Sequence, residues 1–109
     1  MEAASEERLA RNEAFFRQVN ERMREIAEGR DADSFEFLCE CSDAACTERI
    51  ELTPAEYEHV RADAARFVLA RGHVAPELEH VVEREADHVV VEKQGLAARI
   101  ARRLNPRTV

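Results

Sequence analysis

Apolar residues in the first thirty positions recur at helical spacing. Leu9, Phe16 and Met23 fall seven apart, as do Asn12, Val19 and Ile26, so the pattern predicts an amphipathic helix over roughly 6–28 with an a/d seam. Asn12 is the one polar member of that seam. Glu7 with Arg11, and Glu13 with Arg17, stand four apart in the favourable order and should add about 0.2–0.5 kcal/mol per pair. Gly29 marks the expected end, followed by a polar linker over 30–34. Such a helix either covers its own domain's sheet or pairs with a second copy as a coiled coil. The seam from Leu9 to Ile26 spans fewer than three heptads, which favours the first use, and a homodimer through 6–28 is the alternative.

The period then changes to two. Phe35, Phe37, Cys39 and Cys41 share one face of a predicted strand, and Ile50 and Leu52 face inward on a second. The turn-like stretch Ser42-Asp43-Ala44-Ala45-Cys46-Thr47 between them makes the pair a hairpin. Thr53-Pro54-Ala55-Glu56 combines a capping hydroxyl, a proline suited to the first turn and a glutamate three residues on. It predicts a capped helix to about Ala64 or Ala65, with Tyr57, Val60 and Ala64 on the buried side. Arg66–Ala70 reads as a short apolar strand, broken by Gly72-His73-Val74-Ala75-Pro76. Leu78–Arg84 and His88–Lys93, rich in valine, flank Glu85-Ala86-Asp87 as a second hairpin. Leu96, Ala97, Ile100, Ala101 and Leu104 trace a last helix, ended by Asn105-Pro106. The expected fold class is α+β: an N-terminal amphipathic helix, a mostly antiparallel sheet of about five short strands, a capped middle helix and a C-terminal helix. The 109 residues suit a single domain, with a core over 35–93 and a basic helix and tail over 94–109.

Charge changes the picture in one respect. The net charge is -7, but residues 94–109 contain no acid and carry Arg99, Arg102, Arg103 and Arg107, so an acidic body bears a basic tail. An acidic body repels a polyanion, which disfavours nucleic-acid binding over the whole surface. Binding through the four tail arginines stays open as an alternative. No run approaches the ~18 apolar residues needed to cross a bilayer, and the acidic N-terminal residues differ from a signal peptide, so a cytoplasmic address is expected. Fifteen of the 16 basic residues are Arg and 18 residues are Ala, as GC-rich bacterial codon usage would give.

The candidate chemistry lies in the cysteines. All three, Cys39, Cys41 and Cys46, fall within eight residues as C-x-C-x4-C. An odd number in a reducing compartment argues against a disulfide framework. Three thiolates converging in a hairpin suit a tetrahedral zinc site that wants one more ligand. Four histidines are available. His59 belongs to the surface of the capped helix, and His80 and His88 could face each other across the last hairpin. His73 follows Gly72 in a tight break and is the foremost choice, with the other three, or water, left open. The alternative for the cysteines is three buried thiols packed as small hydrophobes. Four protein ligands would make the zinc site closed and structural. A glycine-rich phosphate loop, the H-x-E with P-C-x-x-C pair of zinc deaminases and H-E-x-x-H are all absent, so no catalytic motif is found.

Phe35-Glu36-Phe37-Leu38-Cys39-Glu40-Cys41, Cys46, Leu52-Thr53-Pro54-Ala55-Glu56-Tyr57, Arg66-Phe67-Val68 and Gly72-His73 together resemble small CxC-x4-C zinc-binding proteins of high-GC actinobacteria. The resemblance runs from about Asn12 onward. It implies no particular activity, and it favours His73 as the fourth ligand. The functional expectation is a small cytoplasmic protein with a structural Cys3His zinc site, acting as a regulatory or protein-interaction module. A zinc–thiol redox switch is the alternative, although the H-x3-C-x2-C spacing of zinc anti-sigma factors is absent.

Overall fold

The computed structural model describes residues 3–27 and 34–107. Its elements are α1 (Ala3–Ala27), β1 (Phe35–Leu38), β2 (Arg49–Leu52), α2 (Pro54–Arg61), β3 (Arg66–Ala70), β4 (Glu79–Arg84), β5 (His88–Lys93) and α3 (Gly95–Arg103). The α+β class and the order of elements match the sequence reading. The expected end of the first helix at Gly29, and all of the linker except Ser34, lie outside the described residues.

The strands form two antiparallel sheets rather than one. β1 pairs with β2, placing Phe37 opposite Ile50, and β3, β5 and β4 form a second sheet with β5 in the middle. Alternation explains the first hairpin, whose inward residues Phe37, Ile50 and Leu52 are buried. The valine run of β5 is buried on both faces because β5 is the central strand. A short stitch joins the sheets just past β1. There Glu40 N–H donates to Val68 O at 2.9 Å, and Val68 N–H donates to Glu40 Oε1 at 3.0 Å. A carboxylate thus stands where a strand carbonyl would continue the ladder. No pattern of apolar residues announces this, because Glu40 reads as a polar turn residue and yet is fully buried.

α2 starts as its sequence requires. Glu56 N–H donates to Thr53 Oγ1 at 3.1 Å and Thr53 N–H donates to Glu56 Oε1 at 2.8 Å, satisfying both members of the capping box. The helix stops at Arg61, earlier than Ala64 or Ala65, since Asp63 Oδ1 accepts from Ala65 N–H and turns the chain into β3. Tyr57 lies wholly inside, stacked on Phe37 with ring centroids 4.4 Å apart.

The inward face of α1 departs from the expected seam. Leu9 and Phe16 do pack inward, but the centre of the buried face is Ala10, Glu13, Ala14, Arg17, Asn20 and Glu21, while Ile26 is exposed. These positions follow helical period as well as the apolar set does; the interior simply offers them polar partners. Arg17 does not pair with Glu13. It donates to the carbonyls of Ala64 and Ala101, both at 2.7 Å, and its guanidinium lies 4.5 Å from the centre of the Phe67 ring. Lys93, over the same ring at 4.6 Å, contacts the carboxyl groups of Glu13 of α1 and Glu79 of β4. Burial, the largest influence, pushes the Glu13 carboxyl up to about 9, so it carries a proton at neutral pH. α3 buries Ala97, Ala98, Ile100 and Ala101, whereas Leu104, expected on that stripe, is exposed.

Candidate metal centre

Cys39 and Cys41 leave the end of β1, Cys46 follows in the loop to β2, and His73 follows the end of β3. Asp43 shapes the loop: its carboxylate accepts from Ala45 N–H at 2.9 Å and its carbonyl from Cys46 N–H at 3.0 Å. Those bonds fold Cys46 back toward Cys39, whose own N–H donates to Glu48 O across the hairpin. On the other side His73 N–H donates to Ala70 O at 3.2 Å, closing a four-residue turn with Gly72 at φ 85°. A side chain at Gly72 would strain that left-handed position, which is why glycine precedes the histidine.

The three Sγ atoms and one ring nitrogen of His73 lie within 4.8 Å of one another. His73 Nδ1 is 3.6 Å from both Cys39 Sγ and Cys46 Sγ. A tetrahedral zinc with Zn–S of about 2.3 Å and Zn–N of about 2.0–2.1 Å requires S···N separations of about 3.5–3.6 Å. Both S···N separations therefore match those that a single tetrahedral ion would impose. Cys39 and Cys41 are buried and Cys46 and His73 are half-buried. All three cysteines are free of disulfides.

The electrostatics of the cluster suit a cation. A hydrogen bond from Cys39 pulls Cys41 down to about 5; its counterpart raises Cys39, and burial raises Cys46. Three sulfurs this close cannot all carry charge unless a cation lies between them. Ala70 N–H also donates to Cys39 Sγ at 3.1 Å, the kind of backbone bond that orients a thiolate.

Around the donors runs a buried polar layer that sequence reading missed. Asn20 of α1 donates through Nδ2 to Leu38 O and to Glu40 Oε2, both at 2.9 Å, and its Oδ1 accepts from Leu38 N–H at 2.8 Å. Tyr57 OH donates to Glu40 Oε2 at 2.8 Å. Glu40, between two of the sulfur donors, is thus held by α1, α2 and β3 at once. Burial raises its pKa, while its three donors pull the other way. Asn12, expected in an apolar seam, donates to Ser42 O at 2.9 Å and fixes the loop carrying Cys46. The only sequence signal for this layer is the pair of asparagines eight residues apart on one helix.

The remaining histidines stand elsewhere. His59 is exposed and 2.8 Å from Glu83. His80 lies opposite Glu92, not His88, so the expected cross-strand histidine pair does not form. His88 contacts Asp87 at 2.7 Å. Among the tail arginines, Arg107 is engaged by Glu21 and Glu58 and is not free for phosphate. Arg99, Arg102 and Arg103 are exposed. No described helix is long and apolar enough to cross a membrane.

The donor set and its geometry define a class, a small α+β domain with a Cys3His cluster that could hold a metal ion. Comparison of the chain with protein-family models, curated proteins and solved structures finds no match.

Proposed function

We propose that Cys39, Cys41, Cys46 and His73 bind one Zn²⁺ as a closed structural site, and that the domain serves as a regulatory or protein-interaction module in a bacterial cytoplasm. The observation that carries the metal assignment is the S···N spacing of 3.6 Å on two sides of one ring nitrogen. Three soft sulfurs and an imidazole favour zinc over hard cations, and lack of a fourth cysteine disfavours an iron–sulfur cluster. Four protein donors complete a tetrahedron, leaving no position for the water that catalysis requires. Three thiolates with Zn²⁺ leave the site at -1, within reach of the Ala70 amide.

The bound ion would tie the first hairpin to the turn after β3, fastening the two sheets together across a chain separation of 34 residues. A domain this small gains much of its stability from such a staple. The free cysteines accord with a reducing compartment. Protein purified without added metal should contain close to one zinc per chain, and a strong chelator should lower its melting temperature sharply. Folded, metal-free protein whose melting is indifferent to chelator would contradict the proposal. Partial exposure of Cys46 supports the redox switch as a second reading. Retention of zinc in excess hydrogen peroxide would exclude it.

A further inference from the structure

The outer surface between α1 and α3 carries a groove that the metal centre does not use. Three shallow recesses, of about 400, 240 and 530 Å³, follow one another along α1. The first lies between Glu7 and the α3 residues Leu96, Arg99, Ile100 and Arg103. The second is lined by Arg11, Ala14, Phe15, Gln18 and Leu104, and the Arg11–Glu7 ion pair bridges it to the first. The third adds Val19, Met23 and Pro106, sharing Phe15 and Gln18 with the second. From Glu7 to Met23 the groove runs about 24 Å at 1.5 Å per residue, the length of a helix of about 16 residues.

Two features set this surface apart. Phe15 is 62% exposed and Leu104 37%, two of the three large apolar side chains so exposed among the described residues. An exposed aromatic beside a recess is the usual anchor of a protein contact. The second feature is charge. Arg99 and Arg103 make no ion pair among the described residues, whereas Arg11 and Arg22, which line the other two recesses, are each paired with a glutamate. They stand four apart on α3, about 6 Å from each other along one face.

We infer that this groove docks an acidic amphipathic helix of a partner protein, its apolar stripe on Phe15 and Leu104 and its carboxylates, spaced i,i+4, against Arg99 and Arg103. This rests on the interaction-module reading and names the chemistry of its partner. A nucleic acid would satisfy the arginines but leave the apolar floor uncovered, and it is repelled by the rest of the surface. A second copy docked by the same face would bring no unpaired carboxylate from its own groove to the two arginines, since Glu7, Glu21 and Glu25 already pair with arginines of their own chain.

The test uses the zinc-loaded full chain and four fluorescent probes. Three are 18-residue helical peptides: leucines at i, i+3, i+4 and i+7 with flanking Glu, the same leucines with flanking Lys, and a Glu-flanked control with the leucines replaced by Ala. The fourth is a single-stranded DNA 20-mer. The Glu–Leu peptide should bind saturably, at least tenfold more tightly than each of the others, and more weakly as salt rises from 50 to 300 mM. R99E/R103E and, separately, F15A should each weaken it at least tenfold while one metal per chain is retained. Equal binding of the Glu and Lys peptides, tighter binding of the DNA, failure of the Glu–Leu peptide to bind, or self-association that excludes it would each overturn the inference. The metal content of the same samples reports separately on the zinc site, so the two readings fail independently.

Discussion

Replacing Lys93 by methionine isolates the least conventional part of the interior. Met keeps most of the length and apolar bulk of lysine but removes the cation that both Glu13 and Glu79 contact, all three side chains being buried. Glu13 already carries its proton at pH 7, with a pKa pushed up to about 9 by burial, so the variant leaves the buried Glu79 carboxyl group without its cationic partner. Breaking a buried pair from one side costs about 3–5 kcal/mol, and K93M should lose that much at pH 7. For a chain of this size that corresponds to a fall of roughly 12–20 °C in melting temperature. K93M/E79Q should recover most of it, since the Gln oxygen can still accept from Ala75 N–H as Glu79 does at 2.8 Å. Urea titrations followed by circular dichroism, at pH 7 in excess Zn²⁺, read these differences. A cost below about 1 kcal/mol, or no recovery in K93M/E79Q, would contradict this.

Two smaller perturbations follow from the same interior. Because the folded pKa of Glu13 is raised, its contribution is fully present below about pH 4.5 and is lost as pH rises through 9. E13Q, which resembles the protonated acid, should therefore gain stability relative to the native chain as pH rises from 5 to 9, by up to about 1.4 kcal/mol per unit; parallel urea-unfolding profiles would contradict this. T53A removes the side-chain acceptor of the α2 capping box and should cost about 1 kcal/mol in urea unfolding, with the metal content of the protein unchanged.

What the sequence reveals here depends on whether a residue's partner is near in the chain. The α2 cap is legible because Thr53 and Glu56 satisfy each other three residues apart. β5 is legible because five of its neighbours in register are apolar on a strand buried on both faces, and the turn before His73 because only glycine suits φ 85°. The cysteines announce themselves by crowding, and Gly72 singles out His73 among four histidines. α1 defeats the same logic. Its inward Arg17 and Asn20 look like surface residues until Ala64, Ala101 and Leu38 present their backbone groups, from 18 to 84 residues away. Glu40 is misleading for a related reason: its charge suggests a solvated turn, but its partners Asn20, Tyr57 and Val68 come from three separate elements. Hydropathy records what a side chain avoids, and these side chains are positioned by what they bind.

X-ray absorption at the zinc edge, on protein purified without added metal, reads the closed Cys3His site atom by atom. One zinc per chain is expected, with three sulfur neighbours at about 2.3 Å and one nitrogen at about 2.0 Å, and a shell of four that becomes incomplete in H73A. A shell containing a water oxygen in the native chain, two or fewer sulfurs, or no zinc in folded protein would contradict it.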